Sequence, residues 1–176
     1  RLALRLAYHD AAVHARLRPE GARARELYDA LEDVRCQALG AAVLAGVDAN
    51  LTAMLLDGLE RKGVRPGQPG NPSTNETLAL LAREALTARP LPALAAEHVA
   101  RQRTDLGPRT ARSLAALSQA VHDQERFAGI IHDLVKDIGL GYEVGSAAER
   151  RRPEPSPPSP DATPAPLDTG TELSVK

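Results

Sequence analysis

The sequence has a single cysteine, Cys36, no tryptophan, and only 2% aromatic residues. One cysteine cannot form a disulfide within the chain, which fits a reducing compartment. The scarcity of aromatic rings argues against recognition of single-stranded nucleic acid by base stacking. It also leaves the core to Leu, Val, Ile and Ala side chains, which bury less apolar area than rings do.

Neither sign of charge dominates, because the 176 residues include 22 basic and 23 acidic ones. A balanced chain produces no strong field toward nucleic acid or an anionic lipid surface. Charged residues interrupt every apolar run before it reaches membrane-spanning length, and the first residues are too charged for a signal peptide. We therefore expect a cytoplasmic protein with no nucleic-acid or membrane partner.

Apolar residues instead recur at helical spacing, and no alternating run of β-branched residues predicts a strand. The fold class predicted is all-α, a compact multi-helix bundle. A first helix is predicted from the stripe Leu2, Leu6, Val13 and Leu17. The clearest amphipathic helix carries Ala24, Leu27, Leu31, Val34 and Ala38, and Gly40 is predicted to cap its end.

Other helix boundaries are predicted from capping residues. Asp48, Ser73 and Asp123 each precede an apolar repeat and are predicted N-caps. Pro108 suits the first turn of a helix, where its missing N–H costs nothing.

The composition changes near residue 145. Seven of the 14 prolines lie between Pro153 and Pro166, where little apolar surface is available to bury. We predict a helical domain over residues 1–145 and a disordered Pro/Ser-rich linker over 146–176. Because the chain begins without Met and the linker stops at Lys176, we expect a fragment of a longer protein.

The dipeptide His-Asp occurs three times and raises a first functional hypothesis. In a metal-dependent phosphohydrolase of the HD type, His and Asp from several helices hold divalent ions that activate water. The candidate ligands are His9, Asp10, His14, His132 and Asp133. This alternative predicts bound transition metal and a phosphatase activity that is lost when His9 or His132 is changed.

Several observations favour a plainer interpretation of these residues. His9 and His14 are five positions apart, so in one continuous helix they should project from different faces. His132 lies beside Leu134 of an apolar stripe, and Cys36 is predicted to be an apolar filler. No phosphate-binding loop or cysteine pair for zinc is present. The sequence therefore assigns no catalytic, cofactor-binding or metal-binding residue.

Charged residues cluster on the second predicted helix. Such runs are usually solvated faces with i, i+3 and i, i+4 pairs, although they can also dock a partner. We predict a solvated face for Arg23, Arg25, Glu26, Asp29, Glu32, Asp33 and Arg35.

Three blocks in this order resemble one family. They are LALRLAYHD at 2–10, EDVRCQALG at 32–40 and GVDANLTAML at 46–55, with a weaker match in LSQAVHDQERF at 117–127. They resemble the amino-terminal region of the CobT subunit of the aerobic, ATP-dependent cobaltochelatase. The blocks cover most of the predicted helical domain.

The resemblance implies an accessory subunit that helps to insert cobalt(II) into hydrogenobyrinic acid a,c-diamide during adenosylcobalamin synthesis. It implies two partners, an AAA+ ATPase subunit and a large cobalt-chelating subunit. The complex would use ATP, magnesium and cobalt, while this chain itself would hold no cofactor. Members of the family also carry a downstream integrin-type A domain, which is absent here. This piece would mainly mediate assembly and would be non-catalytic alone.

The chain departs from the family pattern at a few positions. Gln37 stands where an acidic residue is usual, and Ala42-Val43 stand where a basic pair is expected. The linker is rich in Pro and Ser rather than acidic residues. A truncated or divergent homologue fits these departures, and an unrelated helical adaptor module is the other alternative.

Overall fold

The computed structural model describes residues 2–44, 46–68 and 70–140. These ranges contain eight α-helices and no strand, so the all-α prediction is confirmed for the described residues. The helices are α1 Leu2–Tyr8, α2 Ala11–Arg16, α3 Ala22–Val43, α4 Val47–Arg61, α5 Thr74–Thr87, α6 Ala93–Asp105, α7 Pro108–Gln119 and α8 Gln124–Asp137.

Helix α3 is the longest helix and lies at the centre of the bundle, with its most extensive packing against α5. Its predicted apolar stripe is confirmed, because Ala24, Leu27 and Leu31 are fully buried. Helices α4 and α6 contribute Leu59, Ala95 and Val99 to the core, and helices α5, α7 and α8 contribute most of the rest. The large apolar side chains of α5, α7 and α8 that are fully buried are Leu78, Leu117, Phe127, Ile131 and Leu134.

Most of the predicted helix starts are confirmed. The Ser73 hydroxyl accepts a hydrogen bond from the Glu76 N–H, and the Asp123 carboxylate accepts one from the Arg126 N–H. Pro108 is the first residue of α7. The prediction for Asp48 was wrong, since α4 begins after Gly46 and the Asp48 carboxylate pairs instead with arginines of a neighbouring segment.

The predicted single helix at the amino terminus was also wrong. Helix α1 ends at Tyr8, and the Asp10 carboxylate starts α2 by accepting hydrogen bonds from two N–H groups of its first turn. An aspartate used in this way favours a new helix start over continuation. The proposed stripe is therefore divided: Leu2 and Leu6 are 75% and 79% exposed, whereas Leu17 packs against the core.

Gly40 does not end α3, contrary to the cap prediction. The helix continues to Val43, and Gly40 lies where Leu4 of α1 packs against it. A Cβ atom on Gly40 would overlap the Leu4 Cδ2 atom. The missing side chain thus allows α1 to lie directly on α3, with Leu4 near Gly40 and His9 near Glu32 in an antiparallel arrangement.

The predicted domain boundary at 145 and the predicted linker over 146–176 lie outside the described residues. Within the described ranges, no helix combines the length and the apolarity needed to cross a lipid bilayer.

Replacement of Gly40 by Ala tests the contact between α1 and α3. Alanine in a helix interior is ordinarily more stable than glycine by about 1 kcal/mol, but overpacking costs about 1–3 kcal/mol. We expect Gly40→Ala to leave the free energy of unfolding unchanged or lower, as measured by urea denaturation. In a Leu4→Ala background the same change should become stabilising.

Gly129→Ala is the matched control, because Gly129 lies exposed inside α8 and an added Cβ meets nothing within 4 Å. It should stabilise the protein by about 1 kcal/mol. An equal gain from Gly40→Ala in the wild-type background would contradict the close packing of Leu4.

Candidate functional site

A buried ion pair on α3 forms the centre of the candidate site. The Glu32 and Arg35 side chains are only 3% and 2% exposed. Arg35 Nε donates to Glu32 Oε2 at 2.8 Å, and Arg35 Nη2 donates to Glu32 Oε1 at 2.7 Å. Two parallel charge-assisted bonds of this kind are among the strongest in proteins.

The prediction of a solvated charged face on this helix was therefore wrong for Glu32 and Arg35. Arg23, Arg25 and Glu26 are exposed, as predicted. The difference arises because α1 and the start of α8 cover the half of α3 that carries the ion pair.

Arg35 also connects three segments that are distant in sequence. Its Nη2 donates to the carbonyl oxygen of Tyr8, the last residue of α1, at 2.7 Å. Its Nη1 donates to the Val121 carbonyl oxygen at 3.1 Å, and Nη2 reaches Gln124 Oε1 at 3.0 Å. Carbonyl groups at helix ends lack intrahelical hydrogen-bond partners, and here the guanidinium supplies the missing donors. One side chain thus fixes α1 and the α7–α8 connection to α3.

His9 extends the network toward the surface. Its Nδ1 lies 2.8 Å from Glu32 Oε1, and its Nε2 lies 3.3 Å from Arg5 Nη2. Because a guanidinium can only donate, Nε2 accepts, and Nδ1 carries the proton that is donated to Glu32. Arg5 also donates to Asp33 Oδ1 at 3.0 Å, which adds a second polar contact between α1 and α3.

The Gln124 side chain holds the break between α1 and α2. Its Oε1 accepts from the Asp10 N–H and its Nε2 donates to the Asp10 carbonyl oxygen, both at 2.9 Å. Both backbone groups of Asp10 are thereby satisfied where the helix is interrupted.

The structure brings His9 and His14 together, against our expectation that they face apart. Their ring centroids are 4.7 Å apart, because the chain turns between α1 and α2. His14 Nε2 lies 2.8 Å from Asp29 Oδ1, and its ring centroid lies 4.6 Å from that of Tyr28, with the two ring planes tilted by 34°.

The other candidates of the HD hypothesis are placed elsewhere. The Asp10 carboxylate caps α2, and its pKa is lowered by the hydrogen bonds from Val13 and Ala12. Asp133 is 72% exposed beside Lys136, and His132 Nε2 donates to the Leu17 carbonyl oxygen at 2.7 Å.

One group in the described part of the chain has the composition of a metal site. His9, Glu32 and Cys36 present potential ligand atoms within 4.8 Å of one another. However, the Glu32 carboxylate is already bound by the Arg35 guanidinium, whose fixed positive charge would repel a divalent ion. Burial, reinforced by the Glu32 charge, raises the pKa of the Cys36 thiol to about 12. A protonated thiol is a poor ligand, so these residues fit a metal ion badly.

The electrostatics of the ion pair favour its charged form. Burial alone would raise the pKa of Glu32, but hydrogen bonds from Arg35 and His9 outweigh burial and leave this pKa below its ordinary value. Burial opposes the charge on Arg35 as well, yet the bonds to Glu32 raise the pKa of the guanidinium. Each charge depends on the other, so the arrangement is structural and offers no free acid or base.

The sequence model of one protein family, described as "Cobalamin biosynthesis protein CobT", matches residues 1–165 of the chain. This range includes all eight described helices and every residue of the buried network. No solved structure matches the chain.

Replacement of Glu32 by Gln tests the ion pair. Loss of one partner of a buried pair leaves the other charge uncompensated and costs about 3–5 kcal/mol. We expect a loss of that size in the free energy of unfolding at pH 7, measured by urea denaturation. Glu125→Gln is the matched control, since the Glu125 pair with Arg16 is more than half exposed and worth at most about 1 kcal/mol.

The pH dependence of stability follows from the lowered pKa of Glu32. Because the folded pKa lies below the unfolded value, this stabilisation is complete above an ordinary carboxyl pKa of about 4.5 and is lost as pH falls through the folded pKa. The wild type should therefore lose more stability on acidification than Glu32→Gln. Equal losses in the two proteins would contradict the assignment.

Cys36 should be unreactive in the folded protein. A pKa raised from 9.0 to about 12 lowers the thiolate fraction near pH 8 about a thousandfold, and the side chain is buried. We expect iodoacetamide to label denatured chain rapidly and native chain at a far lower rate, as followed by mass spectrometry. Comparable rates for the two states would contradict the burial of Cys36.

Proposed function

Since the chain belongs to the CobT family of cobalamin biosynthesis proteins, which makes it a cobaltochelatase subunit, we propose that it serves the aerobic, ATP-dependent enzyme. That enzyme inserts cobalt(II) into hydrogenobyrinic acid a,c-diamide in adenosylcobalamin biosynthesis. In this proposal, the partners are an AAA+ ATPase subunit and a large cobalt-chelating subunit in the cytoplasm. Those subunits bind ATP, magnesium and cobalt, and this chain contributes surfaces for assembly of the complex.

The observation that carries the assembly role is the outward face of α1. Leu2 and Leu6 are 75% and 79% exposed on this helix, and the residues that follow each of them, Ala3 and Ala7, are exposed as well. Exposed apolar residues that lie together mark interaction surfaces more often than isolated ones do. Short helices do not hold such a face by propensity alone.

The buried network supports this role because it fixes α1 in place without using that face. Arg35 binds the carboxyl end of α1, while Arg5 and His9 bind acidic residues of α3. The apolar outward face therefore stands on a preorganised support. Preorganisation lowers the entropic cost of association.

The end of α3 has the same apolar character. Val43 is 70% exposed and Ala42 is exposed, at the positions where the resemblance leads to an expected basic pair. Leu44 is 50% exposed next to them. In this chain we infer an apolar contact with the partner, and its affinity should depend only weakly on salt.

A non-catalytic role in the complex is supported by the state of the polar groups. Glu32 and Arg35 neutralise each other, and the Cys36 thiol is buried and protonated. General acid–base and nucleophilic catalysis need groups that titrate near neutral pH and reach substrate. We therefore assign ATP hydrolysis and cobalt ligation to the partner subunits.

Association with the AAA+ subunit tests the proposal. The chain should copurify with that subunit and show no chelatase activity alone. Leu6→Glu places a charge in the apolar face and should weaken association at least tenfold, or about 1.4 kcal/mol, in a titration by isothermal calorimetry. Circular dichroism checks that the helices remain.

Met54→Glu is the control, because this substitution introduces the same charge at a different surface position. Met54 lies on α4 and is 50% exposed. It should bind like the wild type. Failure of the folded wild-type chain to associate would favour the unrelated adaptor module. Unchanged binding by folded Leu6→Glu would place the contact surface somewhere other than on α1.

A further inference from the structure

A second polar site lies on a different part of the molecule. The loop after α4, the start of α5 and the middle of α6 line an open cavity of about 300 Å³. Its polar lining consists mainly of Lys62, Arg65, Gln68, Asn71, Glu76 and His98. None of these residues belongs to the network around Arg35.

His98 is the unusual residue in this cavity. Its side chain is only 7% exposed, and both ring nitrogens are buried with no hydrogen-bond partner among the described residues. The nearest acidic atom, Glu76 Oε1, lies 3.6 Å from Nε2, which is beyond hydrogen-bond distance. An unsatisfied buried polar group costs about 1–3 kcal/mol. The ring therefore lacks a partner that a ligand in the cavity can supply.

The loop fixes the position of this ring. Gly70 lies directly on the imidazole, and a Cβ atom there would overlap His98 Nδ1. The Gly67 N–H donates to Glu97 Oε2 at 2.9 Å, which ties the same loop to α6. The cavity is thus a built part of the fold with His98 held at its wall.

The charges around the cavity indicate the kind of ligand. Lys62 Nζ is 2.8 Å from Glu76 Oε1, so the one carboxylate in the lining is already neutralised. Arg65 Nη1 donates to the carbonyl oxygens of Glu60 and Val64, contacts that position the guanidinium without cancelling its charge. The lining keeps a positive surplus together with amide and imidazole donors.

We propose that this cavity binds a small oxyanionic group, a phosphate or a carboxylate, through Arg65, Lys62 and His98. Guanidinium and ammonium groups with convergent N–H donors are the usual ligands of such groups. A divalent cation fits less well, because it would have to displace Lys62 from Glu76 within reach of Arg65. This inference is independent of the assembly role proposed for α1.

Titrations of the full chain with inorganic phosphate and, separately, with acetate test the proposal. Nuclear magnetic resonance of the ¹⁵N-labelled imidazoles should show a saturable shift of the His98 signals with at least one anion. The anion that binds with the higher affinity shows whether the site prefers a phosphate or a carboxylate group. Arg65→Gln should weaken that binding about tenfold, which corresponds to loss of one charge-assisted contact of about 1.4 kcal/mol.

Arg61→Gln is the matched control, because this substitution removes the same charge four positions away. Arg61 pairs with Asp57 and does not line the cavity. It should leave anion affinity unchanged. The absence of a saturable shift with either anion would overturn the proposal. Equal weakening by the two variants, or a His98 response to cobalt(II) or zinc(II) but to neither anion, would also overturn it.

Discussion

Arg35 and Glu32 lie one turn apart on α3, and their side chains are almost completely excluded from water. Removing either charge from water is costly, and the mutual attraction repays that cost only when the remaining donors and acceptors are also satisfied. The Tyr8 and Val121 carbonyl oxygens and the Gln124 amide supply those partners. The ion pair therefore demands that α1 and the α7–α8 connection lie where they do.

This dependence explains how a seven-residue helix with little apolar burial keeps its place. Leu4 is the single buried residue of α1, and one buried leucine contributes only about 1.5–3 kcal/mol. Polar contacts from Arg5, His9 and the Tyr8 carbonyl oxygen supply the remaining attachment to α3. Because those contacts are directional, they fix the rotation of α1 and leave the Leu2 and Leu6 face exposed.

Local signals predicted the parts of the fold that local physics decides. The buried stripe of α3 and the caps at Ser73 and Asp123 depend on residues within one or two turns. The site could not be predicted in this way, because a buried ion pair and a solvated i, i+3 pair have the same spacing. What distinguishes Arg35 is a contact with Gln124, 89 residues away. His98, likewise, gains its role only from a loop that folds over it.

Three of the four blocks that carry the family resemblance meet in the buried network. Tyr8 to Asp10, Glu32 to Arg35 and Val121 to Gln124 come from three of those blocks, and each supplies a partner to the others. A network of this kind needs a specific residue type at every position, because each donor must meet an acceptor. An apolar docking face needs only side chains of suitable size and hydrophobicity, and many sequences meet that condition. Residues of these three blocks therefore orient α1, and the apolar face that α1 presents depends on polar partners in α3 and in the α7–α8 connection.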